Sequence, residues 1–251
     1  MVLIHGWPLS CEAWSENVPA LEQAGYGVIT YDRRGFGRSD KPASGYDYDH
    51  LADDLKGLLT ELDPNDVTLV GFSMGGGEEA RYIARHGEEG IRSVVFAAAV
   101  PPYMMKSDDN PEGPLTPDAA KQMTTALEQN RDAFFDDFTT KFFSAGSELK
   151  VTEGQRKDAV ALCKQSDEKA ALACVDSFGG TDLRKDLPAI SVPTLVIHGD
   201  ADWIVPFEGS GKRTHDAIAD SKLIVIKDGP HGINVSHADE FNQVLIQFLS
   251  N

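Results

Sequence analysis

Residues 67–77, Val-Thr-Leu-Val-Gly-Phe-Ser-Met-Gly-Gly-Gly, constrain the fold more than any other stretch. A β-branched, strand-like run passes through Gly71, Ser73 and Gly75 into the helical pattern EEARYIARHG. A chain that reverses from strand to helix within a few residues has no room for Cβ atoms on either side of the bend, and glycine supplies none. Such a bend pushes the Ser73 hydroxyl out at the C-terminal edge of a sheet. There it sits beside the unpaired N–H groups of the helix start, which carry about half an elementary charge. G-x-S-x-G is also an ordinary glycine turn, so Ser73 as a nucleophile depends on partners elsewhere in the chain.

Two later segments supply them. A strand-like run at 193–198 leads into His198-Gly-Asp200-Ala-Asp202-Trp-Ile-Val-Pro206, and another at 222–226 leads into Gly229-Pro-His231-Gly232. A serine hydroxyl is a poor nucleophile until an imidazole accepts its proton, and the imidazole needs a carboxylate to fix its tautomer. The order Ser, Asp, His, each at the exit of a separate strand, is that of α/β hydrolases rather than of chymotrypsin or subtilisin. Seven histidines occur, and three of them, His215, His231 and His237, follow the acidic loop. His215 lies within a helical pattern and His237 at a helix start, which leaves His231 to reach Ser73. His5 and His198 precede glycines at strand ends and are expected to bond nearby backbone. Asp200 and Asp202 share one loop, and the residues alone leave both open as the acid. The turn His5-Gly6-Trp7-Pro8 offers the Trp7 amide as half of an oxyanion hole, with the Met74 amide as the other half. Pro8 fixes φ and removes a donor; a rigid turn and a Trp7 carbonyl aimed at bound peroxide or peracid are both open.

With HGWPLS, YDRRGFGRSDKP, GFSMGGG, HGDADWIVP and GPHG in this order, the chain resembles α/β-hydrolase-fold enzymes, most of all the cofactor-free non-haem haloperoxidase and arylesterase branch. The resemblance implies an α/β-hydrolase fold, a mainly parallel sheet with helices on both faces and an inserted helical lid. It implies Ser73 as nucleophile, Asp202 as acid, His231 as base, and the Trp7 and Met74 amides as oxyanion donors, with no cofactor and no metal. It also implies a serine hydrolase of small neutral carboxylic esters, with hydrogen peroxide able to replace water. An amide or lactam hydrolase with the same triad is the alternative, and a non-catalytic binding module the rival from another class; a dehalogenase would carry Asp at position 73. Relatives usually have a leading β-hairpin before the HGW segment, whereas Met1 here falls inside a strand. The sequence is therefore expected to be shortened at its start, with Gly27–Tyr31 as an exposed edge open to self-association.

Strands are expected at 1–4, 26–31, 67–71, 92–98, 193–198 and 222–226, alternating with helices, which predicts a mainly parallel sheet with the site at its C-terminal edge. The leucines at 51, 55, 58, 59 and 62, and Phe241, Val244, Leu245 and Phe248, recur at helical spacing and are expected to face the sheet. Between Val100 and Leu187 the rhythm becomes helical, at 117–129, 131–143, 152–165 and 167–178, with no convincing strand. Residues 1–100 and 189–251 are thus read as the hydrolase core and 101–188 as the lid. The stripe Phe134, Phe135, Phe138, Phe142 and Phe143 is expected mainly as lid core, with a share lining an acyl pocket.

The 251 residues suffice for one sizeable core. A net charge of −17, from 23 basic and 40 acidic residues, with no Lys/Arg stripe, argues against nucleic acid and favours neutral over anionic small-molecule substrates. No apolar run spans a membrane, and none reads as a signal peptide, although a lost N-terminus would take one with it. Cys11, Cys163 and Cys174 argue against a disulfide framework; cytoplasm is the expected location. Neither a spaced metal-ligand set nor a phosphate loop is read. The charged loop 32–40 lacks G-x-G-x-x-G spacing, and its charges are expected to pair internally.

Overall fold

A computed structural model describes residues 1–250. Six strands, β1 (Val2–Ile4), β2 (Ile29–Tyr31), β3 (Val67–Phe72), β4 (Ile91–Ala97), β7 (Thr194–Gly199) and β8 (Lys222–Ile226), form one wholly parallel sheet in the order β2-β1-β3-β4-β7-β8. A separate antiparallel pair, β5 (Ser144–Ala145) and β6 (Glu148–Leu149), turns through Gly146. The helices are α1 (Val18–Gln23), α2 (Tyr48–Leu62), α3 (Met74–His86), α4 (Pro117–Gln129), α5 (Arg131–Phe142), α6 (Glu153–Gln165), α7 (Glu168–Gly180), α8 (Gly211–Ala217), α9 (Ile233–Ser236) and α10 (Ala238–Leu249).

Successive strand side chains point to opposite faces, and the two apolar clusters divide accordingly. Val2, Ile4, Leu69, Val94, Phe96 and Val196 pack with Ala52, Leu55, Ala80 and Ile83 of α2 and α3 on one face. Leu3, Val70, Phe72, Val95, Ala97, Leu195 and Ile197 pack with Trp14, Leu21, Phe241 and Leu245 on the other, beneath α1 and α10. Both faces of the sheet are therefore covered, as parallel strands require. Between β4 and β7 stand α4 to α7, which join the second cluster through Leu127, Phe135, Phe138, Ala159, Cys163 and Cys174.

Several expectations need adjustment. The second strand begins at Ile29 rather than 26, because Gly25, at φ 90°, closes α1 and Tyr26 N still donates to Leu21 O. Leu62 is 49% exposed, one residue short of the turn that ends α2 at Asp63. The segment 101–188 holds the β5–β6 hairpin, whose two-residue strands are too short to show alternation. As the edge strand of the sheet, β2 pairs on one side with β1.

Candidate active site

The bend after β3 places Ser73 at φ 55° and ψ −117°, a left-handed backbone for a non-glycine residue. A Cβ on Gly71 would meet the Gly75 carbonyl oxygen and Gly76 Cα at 2.6 Å, and one on Gly75 would meet the Ile4 carbonyl oxygen at 2.6 Å. Gly71 is thus demanded by the helix start and Gly75 by neighbouring β1, which is more than strand–helix crowding alone. Met74 opens α3, so its N–H is among those without an intrahelical acceptor.

Ser73, Asp202 and His231 converge although 158 residues separate Ser73 from His231. His231 Nε2 lies 2.9 Å from Ser73 Oγ, and Nδ1 lies 2.7 Å from Asp202 Oδ2. An ionised carboxylate only accepts, so Nδ1 carries the proton and Nε2 is bare to accept from the hydroxyl. The other carboxylate oxygen of Asp202 accepts from Ile204 N at 2.9 Å and Val205 N at 2.8 Å. Burial opposes ionisation of Asp202, but the charge of His231 and hydrogen bonds from His198 and His231 prevail and hold its pKa at about 2. Phe72 and Phe142 flank the imidazole, the latter edge-on at 4.9 Å. Asp200, the rival acid, turns away and accepts the Asp228 N–H at 2.7 Å.

The loops bearing Asp202 and His231 cross at two glycines. A Cβ on Gly199 would lie 2.0 Å from the Gly229 carbonyl oxygen, and Ala201 N donates to that oxygen at 3.1 Å. The Gly6–Trp7 turn is pressed equally close to the serine, since a Cβ on Gly6 would stand 2.9 Å from Ser73 Cβ. The Trp7 indole donates to Ala171 O at 2.9 Å and meets Phe138 edge-on.

Ser73 opens into a cavity of about 440 Å³ walled by Trp7, Met104, Leu115, Met123, Phe134, Phe138, Phe178 and Val205. Gln122, Asp137, Lys141 and Trp203 also line it, and Trp203 is 71% exposed. The aromatic stripe of α5 divides: Phe134 and Phe138 line this cavity, while Phe135, Phe142 and Phe143 are buried in packing.

His198 bonds nearby backbone as expected, its Nε2 donating to Val205 O at 2.8 Å, and His5 Nδ1 is 2.9 Å from Gly6 O. His215 and His237 bond Ser221 and Ser236. In the loop 32–40 the expected internal pairing holds for Asp32 with Arg38, whereas Arg33 reaches Glu78 and Arg34 reaches Asp54. The Tyr48 hydroxyl donates to Met74 O at 3.1 Å and Arg33 Nη2 to His5 O at 2.8 Å, and neither contact has a local signature in the sequence. All three cysteines are free and buried, and burial pushes the Cys174 thiol up to about 12. Among the described residues no helix is long and apolar enough to cross a membrane.

A six-stranded parallel sheet with a serine at its strand–helix bend and an acid and a histidine at later strand exits defines a class, and a family model of the α/β hydrolase fold matches residues 1–238. The chain belongs to the α/β-hydrolase-fold family, within its non-heme haloperoxidase branch. It is 42% identical to the non-heme chloroperoxidase CPO-A1 of Kitasatospora aureofaciens, covering 100% of this chain and 92% of that protein. It is 34% identical to the bifunctional esterase/perhydrolase DCH of Acinetobacter calcoaceticus, over 98% of this chain and 89% of the other. The crystal structure of bromoperoxidase from Bacillus anthracis superposes with a TM-score of 0.98 at 52% identity, covering 100% of this chain and 91% of that one.

Proposed function

We propose that this protein is a serine hydrolase of small, neutral carboxylic esters that works through an acyl-enzyme and accepts hydrogen peroxide in place of water. The observation that carries it is the hydrogen-bonded chain from Asp202 through His231 to Ser73, opening into an apolar cavity. Ser73 Oγ attacks the ester carbonyl carbon as its proton passes to His231 Nε2. The Trp7 and Met74 amides hold the resulting oxyanion, each worth a few kcal/mol of barrier. Collapse breaks the C–O bond of the leaving alcohol, which takes the proton from Nε2 and leaves the acyl group on Ser73. Water, giving up a proton to His231, then attacks the acyl carbon and releases the carboxylic acid as the proton returns to Ser73. Hydrogen peroxide in that second step releases a peracid, and a carboxylic acid enters as acyl donor by the reverse of hydrolysis. The names of the relatives, a non-heme chloroperoxidase and an esterase/perhydrolase, support this extension, in which the peracid oxidises halide in solution.

Within this reading residues 101–188 act as a lid over the core of residues 1–100 and 189–251, since α5 and α7 supply Phe134, Phe138 and Phe178 to the cavity. Three free thiols suit the reducing cytoplasm. The test uses p-nitrophenyl acetate, and acetate with peroxide and bromide in a dye assay. The parent is expected to turn over both, and Ser73→Ala to lower both by roughly 10⁴-fold or more. A Ser73→Ala protein with parental ester turnover defeats the proposal, and a flat dye trace from an ester-active parent defeats its peroxide arm.

A further inference from the structure

A buried polar cluster lies behind the oxyanion turn, outside the triad. His5, 1% exposed, leaves the end of β1; Arg33, 2% exposed, leaves the end of β2; Glu78, 1% exposed, stands in the second turn of α3. Arg33 Nε donates to Glu78 at 2.7 Å, and the Tyr31 hydroxyl donates to the same carboxylate. Thus anchored, Arg33 holds His5 twice, with Nη2 donating to His5 O at 2.8 Å and its backbone N–H donating to His5 Nε2 at 3.0 Å.

The second bond sets the tautomer. A backbone N–H can only donate, so Nε2 of His5 is bare and Nδ1 carries the proton. Nδ1 lies 2.9 Å from Gly6 O, to which it therefore donates, and Leu9 N donates to the same oxygen at 3.0 Å. The Gly6 carbonyl and the Trp7 N–H belong to one peptide plane, and in a trans peptide they point in opposite directions. A carbonyl held from behind aims the amide the other way, and the Gly6 backbone is packed against Ser73 Cβ.

We propose that His5 is a positioning residue for ester hydrolysis: locked in its Nδ1–H form by Arg33, it fixes the Gly6–Trp7 peptide plane and so the direction of the Trp7 oxyanion donor. Burial and the Arg33 charge hold the His5 pKa down at about 3, so the lock persists across the working pH range.

This rests on the hydrolase reading, so the parent must first show Ser73-dependent turnover; a parent without it defeats that reading and not the lock. Two isosteres separate the nitrogens. Asn places a donor near the Nδ1 position, and Gln places an acceptor near the Nε2 position while losing the donor. His5→Gln is expected to lower kcat at least about tenfold with KM within about twofold, and to weaken inhibition by phenylboronic acid, which forms a tetrahedral adduct on the serine, by a similar factor. Mispointing one donor should cost less than the 10²- to 10³-fold of deleting it. His5→Asn is expected to stay within about threefold of the parent. Equal losses in both variants, or loss shared between kcat and KM in step with thermal stability, overturn the proposal in favour of plain packing. Parental kcat in both overturns it outright. Should the variants not fold, ¹⁵N-histidine spectra of the parent decide: a pyrrole-type Nδ1 on His5 is expected, and a protonated Nε2 overturns the lock.

Discussion

Glu79 is fully buried on α3, and neither carboxylate oxygen has a hydrogen-bond partner. Burial first, and the neighbouring Glu78 second, raise its pKa well above the usual value. A raised carboxyl is at ease below its unfolded pKa near 4.5, and its protonation costs about 1.4 kcal/mol of stability per pH unit above that, up to its folded pKa. Glu79→Gln is therefore expected to raise the melting temperature at pH 7.5 by several degrees, with the gain shrinking toward pH 4.5; a gain equal at both pH values refutes this. Asp202 runs the opposite way: with its pKa depressed from 3.8 to about 2, its contribution is present above pH 4 and lost as pH falls through 2. Ser73 and His231 were legible from their turns. Choosing Asp202 over Asp200 took a family resemblance, because both carboxylates leave the same loop and only the fold turns one toward the imidazole. The Arg33, Glu78 and Tyr48 contacts were invisible for a related reason: each spans more than twenty residues and joins elements that no local pattern pairs.

The four helices between β4 and β7 could be read closely because their starts carry capping side chains. Thr116, Asn130, Thr152 and Asp167 accept the N–H three residues ahead, and Thr152 with Gln155 completes a capping box. The end of α2 and the hairpin β5–β6 were less legible, since Leu62 continues the helical spacing of leucines but is exposed at the last position of its helix, and two-residue strands show no alternation. Within α5 the phenylalanines also share one periodicity while serving two surfaces, which only the packing distinguishes. Phe138, 7% exposed, stands between the Trp7 ring at 5.3 Å and the Phe142 ring at 5.6 Å. Phe138→Leu removes aromatic bulk from the cavity wall, so kcat/KM for p-nitrophenyl hexanoate relative to acetate is expected to rise at least about threefold. An unchanged ratio across the acyl series would mean that Phe138 does not bound the acyl group.

For the molecule as a whole, strand–helix alternation was enough to give a parallel sheet covered on both faces, because apolar strands buried throughout, as β3 and β7 are, and joined through helices admit few other layouts. The excess of acidic residues, −17 overall, is a property of the whole surface rather than of the cavity, whose lining pairs Asp137 with Lys141. Its field should slow an anionic ester and leave a neutral one alone, and it is screened over about 10 Å at 0.1 M salt. The ratio of kcat/KM for a p-nitrophenyl succinate monoester to that for the acetate is expected to climb as sodium chloride goes from about 10 to 300 mM; a flat ratio removes any role for surface charge in selection. The crossing of Gly199 over Gly229 reaches further than its size. Because main chain rests on main chain there, the spacing between carboxylate and imidazole is gauged by two residues that take no part in proton transfer. A single methyl added at either would work as a wedge, prying the relay apart while leaving all of its members in place.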